Sequence, residues 1–211
     1  FLQVDTTNIL FICGGAFAEW GAKHRTLPIN LVAYHTAYNR LLGSDAASSG
    51  GSGTGELYNG GSARITGLEA QYQKEWSHWA LSSSATYTRA VFTESFTSTF
   101  EGWGKVEAGD ALPYIPTYQA NLQLLWHSQR WQVASQLNGL SALKSSAEFD
   151  RADLPAALVA HASVQYALSE HVTLKTSVQN LGNSRHLIAV RPAGYRTFMP
   201  RMFVCSLAVA L

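Results

Sequence analysis

The 211 residues carry 14% charged side chains and a net charge of +1, against roughly 25% charged in an average soluble domain. A typical cytosolic surface is therefore excluded, and so is the concentrated basic face that a nucleic-acid partner would require. No apolar run, including 156–160 and 203–211, reaches the roughly 20 residues of a membrane-spanning helix, whereas segments of about 9 to 11 residues, enough for a tilted membrane strand, recur throughout.

In chain order, residues 1–15 show no clean period, no starting Met, no basic n-region and no cleavage signal, so a targeting peptide is expected upstream or not at all. Cys13 and Cys205 belong to no CxxC or other metal-type spacing and read as unpaired thiols. A first strand is expected from about residue 16, with Trp20 just before a short turn at 24–27. Residues 27–42 alternate poorly, and a long connection follows at 43–61. Its glycines, Gly50, Gly51, Gly53 and Gly55, precede no GK[ST] and no helix, which points to a mobile loop rather than a phosphate cradle.

Beyond residue 67 the period is two, which puts alternate side chains on opposite faces of a strand. Leu68, Ala70 and Tyr72 oppose Glu69, Gln71 and Gln73. After a short link at 76–78 and a long one at 93–116, Tyr118, Ala120, Leu122 and Leu124 oppose Gln119, Asn121 and Gln123. A short link at 128–130 leads to Trp131, Val133 and Leu137 set against Gln132, Gln136 and Asn138, and a long one covers 141–155. Then Ala160, Ala162, Val164 and Tyr166 oppose His161, Ser163 and Gln165. Past the short link at 169–171, Val172, Leu174, Thr176 and Val178 oppose Thr173, Lys175, Ser177 and Gln179. A long link at 181–200 precedes a last strand at 201–211.

A soluble antiparallel sheet alternates too, but its water-facing side usually carries many Lys and Glu residues. Here the polar side is mostly amide and hydroxyl, which suits an all-β, antiparallel transmembrane barrel with lipid outside and a wet or plugged lumen. The strict order of short and long links assigns the sides, because such barrels have short periplasmic turns and long extracellular loops. Five of the six Trp residues, Trp20, Trp76, Trp79, Trp126 and Trp131, flank short turns, as does Tyr166. Headgroup-level aromatics are expected there, and Trp103 alone lies in a long loop. Roughly nine strands are counted, an odd number that cannot close a bacterial barrel, so preceding strands are expected to be missing.

Local phrases resemble the TonB-dependent receptor family, in that family's order. Glu19-Trp20-Gly21-Ala22-Lys23 resembles its "E-x-G-hydrophobic-K/R" strand opening, and residues 34–42 its strand ending in a Tyr/Asp-Asn-containing stretch. Tyr58-Asn59-Gly60-Gly61-Ser62-Ala63-Arg64 with Gly67-Leu68-Glu69 resembles "N-G-G-x-x-R-x-x-G-L-E". Gly109-Asp110-Ala111-Leu112-Pro113-Tyr114-Ile115-Pro116 is similar to "G-D-x-L-P-Y-x-P", and Val178-Gln179-Asn180-Leu181-Gly182-Asn183 to "V-x-N-L-F-D". Arg191-Pro192-Ala193-Gly194-Tyr195 and Pro200-Arg201-Met202-Phe203 resemble "R-P-x-G-x" and "P-R-x-F".

The mixture leans toward the ferric dicitrate and siderophore branch. The resemblance implies a barrel of about 22 strands plugged by an N-terminal domain, of which residues 1–211 would be the C-terminal part, with plug and earlier strands absent. It implies outer-membrane lipid, TonB (through the plug) and the barrel-assembly machinery as partners, energised import as the activity, and no cofactor beyond the transported ferric chelate. Two positions depart from the pattern: Gly182 stands where Phe is usual, and Leu211 where a terminal aromatic serves barrel assembly.

Under that resemblance no bond is made or broken, and an anionic ferric chelate would meet planar Arg donors in the long loops. The candidates are Arg151, Arg185, Arg191 and Arg196, with His186. The seven His residues show no HxH, HExxH or Cys/His spacing, and His24, His78, His127 and His171 fall at short turns, so no metal site is expected. Two alternatives remain open: a barrel enzyme built on His161 and Ser163, which share a polar face but have no acidic partner in phase, and a secreted soluble β-sandwich or adhesin.

Overall fold

A computed structural model describes residues 29–44, 57–99, 103–190 and 194–209. The expected first strand and turn, Cys13, Trp20, the phrase at 19–23, the glycines at 50–55, Arg191 and Leu211 lie outside the described residues. The described residues are all-β with no helix. They form β1 (Ile29–Tyr38), β2 (Leu42–Ser44), β3 (Leu57–Asn59), β4 (Ala63–Glu75), β5 (Trp79–Phe92), β6 (Phe96–Thr97) and β7 (Lys105–Val106). There follow β8 (Tyr118–His127), β9 (Trp131–Leu140), β10 (Ala157–Ala167), β11 (Val172–Gln179), β12 (Leu187–Ala189), β13 (Arg196–Thr197) and β14 (Met202–Val209).

Eight long strands make one antiparallel sheet in the order β1-β4-β5-β8-β9-β10-β11-β14, and the described sheet is open at β1 and β14. Each long strand pairs with the next one in the chain, so every interior backbone donor and acceptor finds a partner across the ladder, the condition for crossing a membrane with strands. The short links close as tight turns, with Trp76 N–H donating to the Trp79 carbonyl at 2.7 Å, Ser128 N–H to Trp131 at 2.8 Å, and Leu168 N–H to Val172 at 2.9 Å. Three of the four long links are not plain loops, because the ribbons β2–β3, β6–β7 and β12–β13 fold within them.

Register settles the two faces. Leu68, Tyr87 and Tyr118 lie in one cross-strand row, as do Tyr72, Ser83, Leu122, Leu137 and Ala160. The apolar sets of β4, β8, β9, β10 and β11 thus share one face, as their periods require. Between the Tyr87–Tyr118 pair and the Trp79–Trp126 pair, whose rings lie 5.4 Å and 6.4 Å apart, β4, β5 and β8 carry on that face no Lys, Arg, Asp or Glu except Lys74, opposite Leu81 near the short turn. Glu69 and Lys175, within the same band, take the opposite face. Tyr118, Leu158 and Leu207 are 60%, 59% and 59% exposed, and water would not tolerate so continuous an apolar surface, whereas lipid requires it.

β1 corrects the reading of residues 27–42 as poorly alternating. Ile29, Leu31 and Ala33 continue the apolar face beside Tyr72, Ala70 and Leu68. The other face defeats the pattern because it carries Val32, Tyr34 and Tyr38 among its polar residues. Tyr34 is accommodated there because it lies across Gly67, where an added Cβ would fall inside its ring, and its hydroxyl reaches Thr88 Oγ1 at 2.8 Å. The glycine in the "R-x-x-G-L-E" phrase is thus a seat for an aromatic ring from the neighbouring strand.

A buried cluster lies at the end of the sheet that carries the long links, built on the ends of β4 and β5. Phe92, Val106, Leu112, Ala63 and Trp103 pack together, with Phe92 0% and Trp103 5% exposed. The Phe92, Phe96 and Trp103 rings meet edge to face at 5.3, 5.9 and 6.1 Å, pairs worth about 0.5–1.5 kcal/mol each beyond burial. Trp103, the tryptophan away from the short turns, is the centre of a loop core, seated over Gly60, where a Cβ would collide with its ring.

Candidate functional site: the amide wall beneath the long links

The polar face is an amide ladder. Asn121 Nδ2 donates to Asn138 Oδ1 at 2.5 Å, and Gln136 Nε2 to the same oxygen at 3.2 Å. With Ser84, Gln119, His161 and Gln179, Asn121 and Asn138 line a cavity of about 550 Å3, roofed by Ile188, Phe198 and Met199 from the link between β11 and β14. The wall offers neutral donors and acceptors, and the roof offers apolar contact.

Asn180 holds the roof. It is 4% exposed and adopts φ 51°, a left-handed conformation that Asn tolerates better than most residues. Its Nδ2 donates to the carbonyls of Ser184 at 2.8 Å and Met199 at 2.7 Å, and its Oδ1 accepts the Ser184 N–H at 2.8 Å. Its own N–H donates to His161 Nδ1 at 3.4 Å. Asn183, at φ 49°, then accepts the Arg201 N–H on Oδ1 at 3.0 Å. The phrases at 178–183 and 200–203 are therefore two halves of one clamp that closes a long link onto the wall. At Gly182 a Cβ would meet nothing within 4 Å, so this departure leaves the clamp intact.

Arg185 and His186 lead into β12 and Arg196 opens β13, so all three lie on the roof link; all are exposed and none lines the cavity. Phe198 N–H donates to the His186 carbonyl at 3.2 Å, and Arg196 sits opposite Ala189. Arg151 lies on a separate link, between β9 and β10, and is exposed. That link is folded by Asp153, which accepts the Ser145 N–H at 2.6 Å and its hydroxyl at 2.5 Å, with Ser145 wholly buried.

Tyr114 joins the two links, a role that sequence reasoning missed. At φ 61°, its N–H donates to the Lys144 carbonyl at 2.8 Å, and its hydroxyl accepts the Val190 N–H at 3.4 Å. The only signal in the chain was its place between Pro113 and Pro116 in a family phrase, which says nothing of partners. His161, the base of the enzymatic alternative, is taken up by Asn180. Among the described residues no three His, Cys, Asp or Glu side chains gather as a metal site.

Comparison with known proteins joins these observations. Residues 18–181 match the family described as "TonB dependent receptor-like, beta-barrel". Among solved structures, the chain resembles the ferric yersiniabactin uptake receptor FyuA from Yersinia pestis, with a TM-score of 0.65 and 14% identity over 88% of this chain and 28% of that one. It also resembles the siderophore receptor PiuA from Acinetobacter baumannii, with a TM-score of 0.62 and 17% identity over 86% and 26%. The copper transporter OprC matches with a TM-score of 0.55 and 18% identity over 85% and 28%. The chain thus spans about a quarter of the length of these structures, and at such identities the likeness is one of fold. With the family match covering most of its length and an apolar band around an amide-lined wall, the chain belongs to the TonB-dependent receptor family of Gram-negative outer-membrane β-barrels.

Proposed function

We propose that the chain forms the C-terminal barrel wall of a receptor for TonB-dependent uptake of a ferric chelate, of the siderophore or ferric dicitrate type. The observation that supports this reading is the long link between β11 and β14, which carries Arg185, His186 and Arg196 and, through Ile188, Phe198 and Met199, roofs a cavity backed by amide side chains. Guanidinium forks on that exposed link would suit a carboxylate-rich complex, and the neutral amides of the wall would bind it without trapping it. Arg191, from the same link, and Arg151, from the link between β9 and β10, complete the proposed set. FyuA and PiuA are named as receptors for ferric yersiniabactin and a siderophore. The ferric dicitrate assignment rests on the sequence phrases. TonB would act through a plug domain within the same barrel, and the assembly machinery would fold the wall into the membrane.

The test is uptake of radiolabelled iron by cells with and without the reading frame that encodes this chain, offered ferric citrate and a panel of ferric siderophores. Loss of uptake of one anionic chelate, reproduced by Arg185→Ala with Arg196→Ala, is expected. Unchanged uptake of every chelate would overturn the proposal.

A further inference from the structure

We propose that His78 and His127 form a two-imidazole site for a divalent first-row transition cation, Cu2+ foremost, at the short-turn end of the wall. His78 closes the short link before β5, and His127 ends β8. Register brings them together. They stand one step beyond the Trp79–Trp126 pair, and the His127 N–H donates to the His78 carbonyl at 2.9 Å. The two imidazoles lie 6.2 Å apart, centroid to centroid, with their planes inclined by 33°. No HxH or HExxH spacing announces the pair, because its members come from the ends of different strands.

The separation suits coordination. A metal about 2.0–2.1 Å from an imidazole nitrogen lies about 3.2 Å from the ring centroid, so two rings on one ion stand at most about 6.4 Å apart. The observed separation is close to that limit, a near-trans arrangement that tetragonal Cu2+ accepts and tetrahedral Zn2+ does not. Ser77 Oγ lies 3.1 Å from His78 Nδ1. A hydroxyl accepting from Nδ1–H there would hold the ring in the tautomer whose Nε2 lone pair is free, the outer-shell support that metal-ligating histidines use. Gln132 lies opposite His127 on the same face and offers an amide oxygen beside the pair. Both histidines are exposed, so water completes the coordination. An ion held by two side chains exchanges with its surroundings, unlike a structural metal with four protein ligands. The short turns put the pair on the periplasmic side, where a bound ion would tie the β4–β5 turn to the end of β8.

The test titrates Cu2+ into the complete receptor containing this chain, purified folded in detergent micelles and dialysed against a chelator. Bound Cu2+ is read by electron paramagnetic resonance, and heat-modifiable migration checks the fold of each variant. His78→Gln and His127→Gln should each lose the same nitrogen-coordinated ion that the wild type binds. Ser77→Ala should bind it about tenfold more weakly, and His171→Gln, on a different short turn, should match wild type. Zn2+ should displace the ion only in excess. Retention of the ion in either His78→Gln or His127→Gln overturns the proposal. An equal loss in His171→Gln also overturns it, since the ion would then be held by rim histidines without selection, and displacement by equimolar Zn2+ overturns the preference for Cu2+.

Discussion

The membrane wall and the loop core beyond it are built from opposite solutions to the same problem. In the wall, side chains at Leu122, Leu137 and Leu158 face outward and half-exposed, and the strands are held by their hydrogen-bonded ladders with lipid as the solvent. In the loop core, Phe92 and Trp103 are buried among Val106, Leu112 and Ala63 as in a soluble domain, because water surrounds that end and apolar burial drives it. The difference teaches that this chain has two kinds of core, and that substitutions of equal chemistry should act differently in each.

The largest effect is expected in the loop core. Trp103→Ala should cost the loops about 3–5 kcal/mol, read as protease cleavage within residues 93–117, while heat-modifiable migration of the wall persists. Loss of both together would mean that the two regions unfold as one. Next, Leu122→Arg and Gln123→Arg put the same charge on adjacent residues of β8 but on opposite faces. The first should cost about 2–4 kcal/mol in urea unfolding from lipid vesicles, and the second far less; equal costs would erase the distinction between the faces. Asn180→Ala removes three side-chain hydrogen bonds and orphans groups on Ser184 and Met199. A cost of about 1–3 kcal/mol should appear as faster hydrogen exchange confined to residues 181–201. The smallest effect is expected from Tyr114→Phe, which removes one bond between links. About 1 kcal/mol or less should show as faster exchange at Val190 with the wall unchanged.

The membrane wall was largely legible in the sequence. Period two and the chemistry of the two faces are local properties, so Leu68, Leu122, Leu137 and Val164 declared their face before any partner was known. Link lengths at 76–78, 93–116, 128–130 and 181–200 likewise anticipated the order of turns and loops. β1 was the exception, since Tyr34 on the polar face makes sense only over Gly67 of the neighbouring strand. Of the candidate site, the loop positions of Arg185, His186 and Arg196 were legible, but the pairing of β12 with β13 that folds their link was not.

By itself, then, the sequence determined an all-β wall with an apolar and an amide face, its sidedness and its family phrases, because alternation and spacing are written residue by residue. Only the tertiary structure decided what Trp103, Asn180 and Tyr114 do. Each depends on partners from distant strands or links, such as Gly60 beneath Trp103, Met199 beside Asn180 and Val190 against Tyr114. No local pattern encodes such pairings, since strand register and loop folding alone bring those residues together.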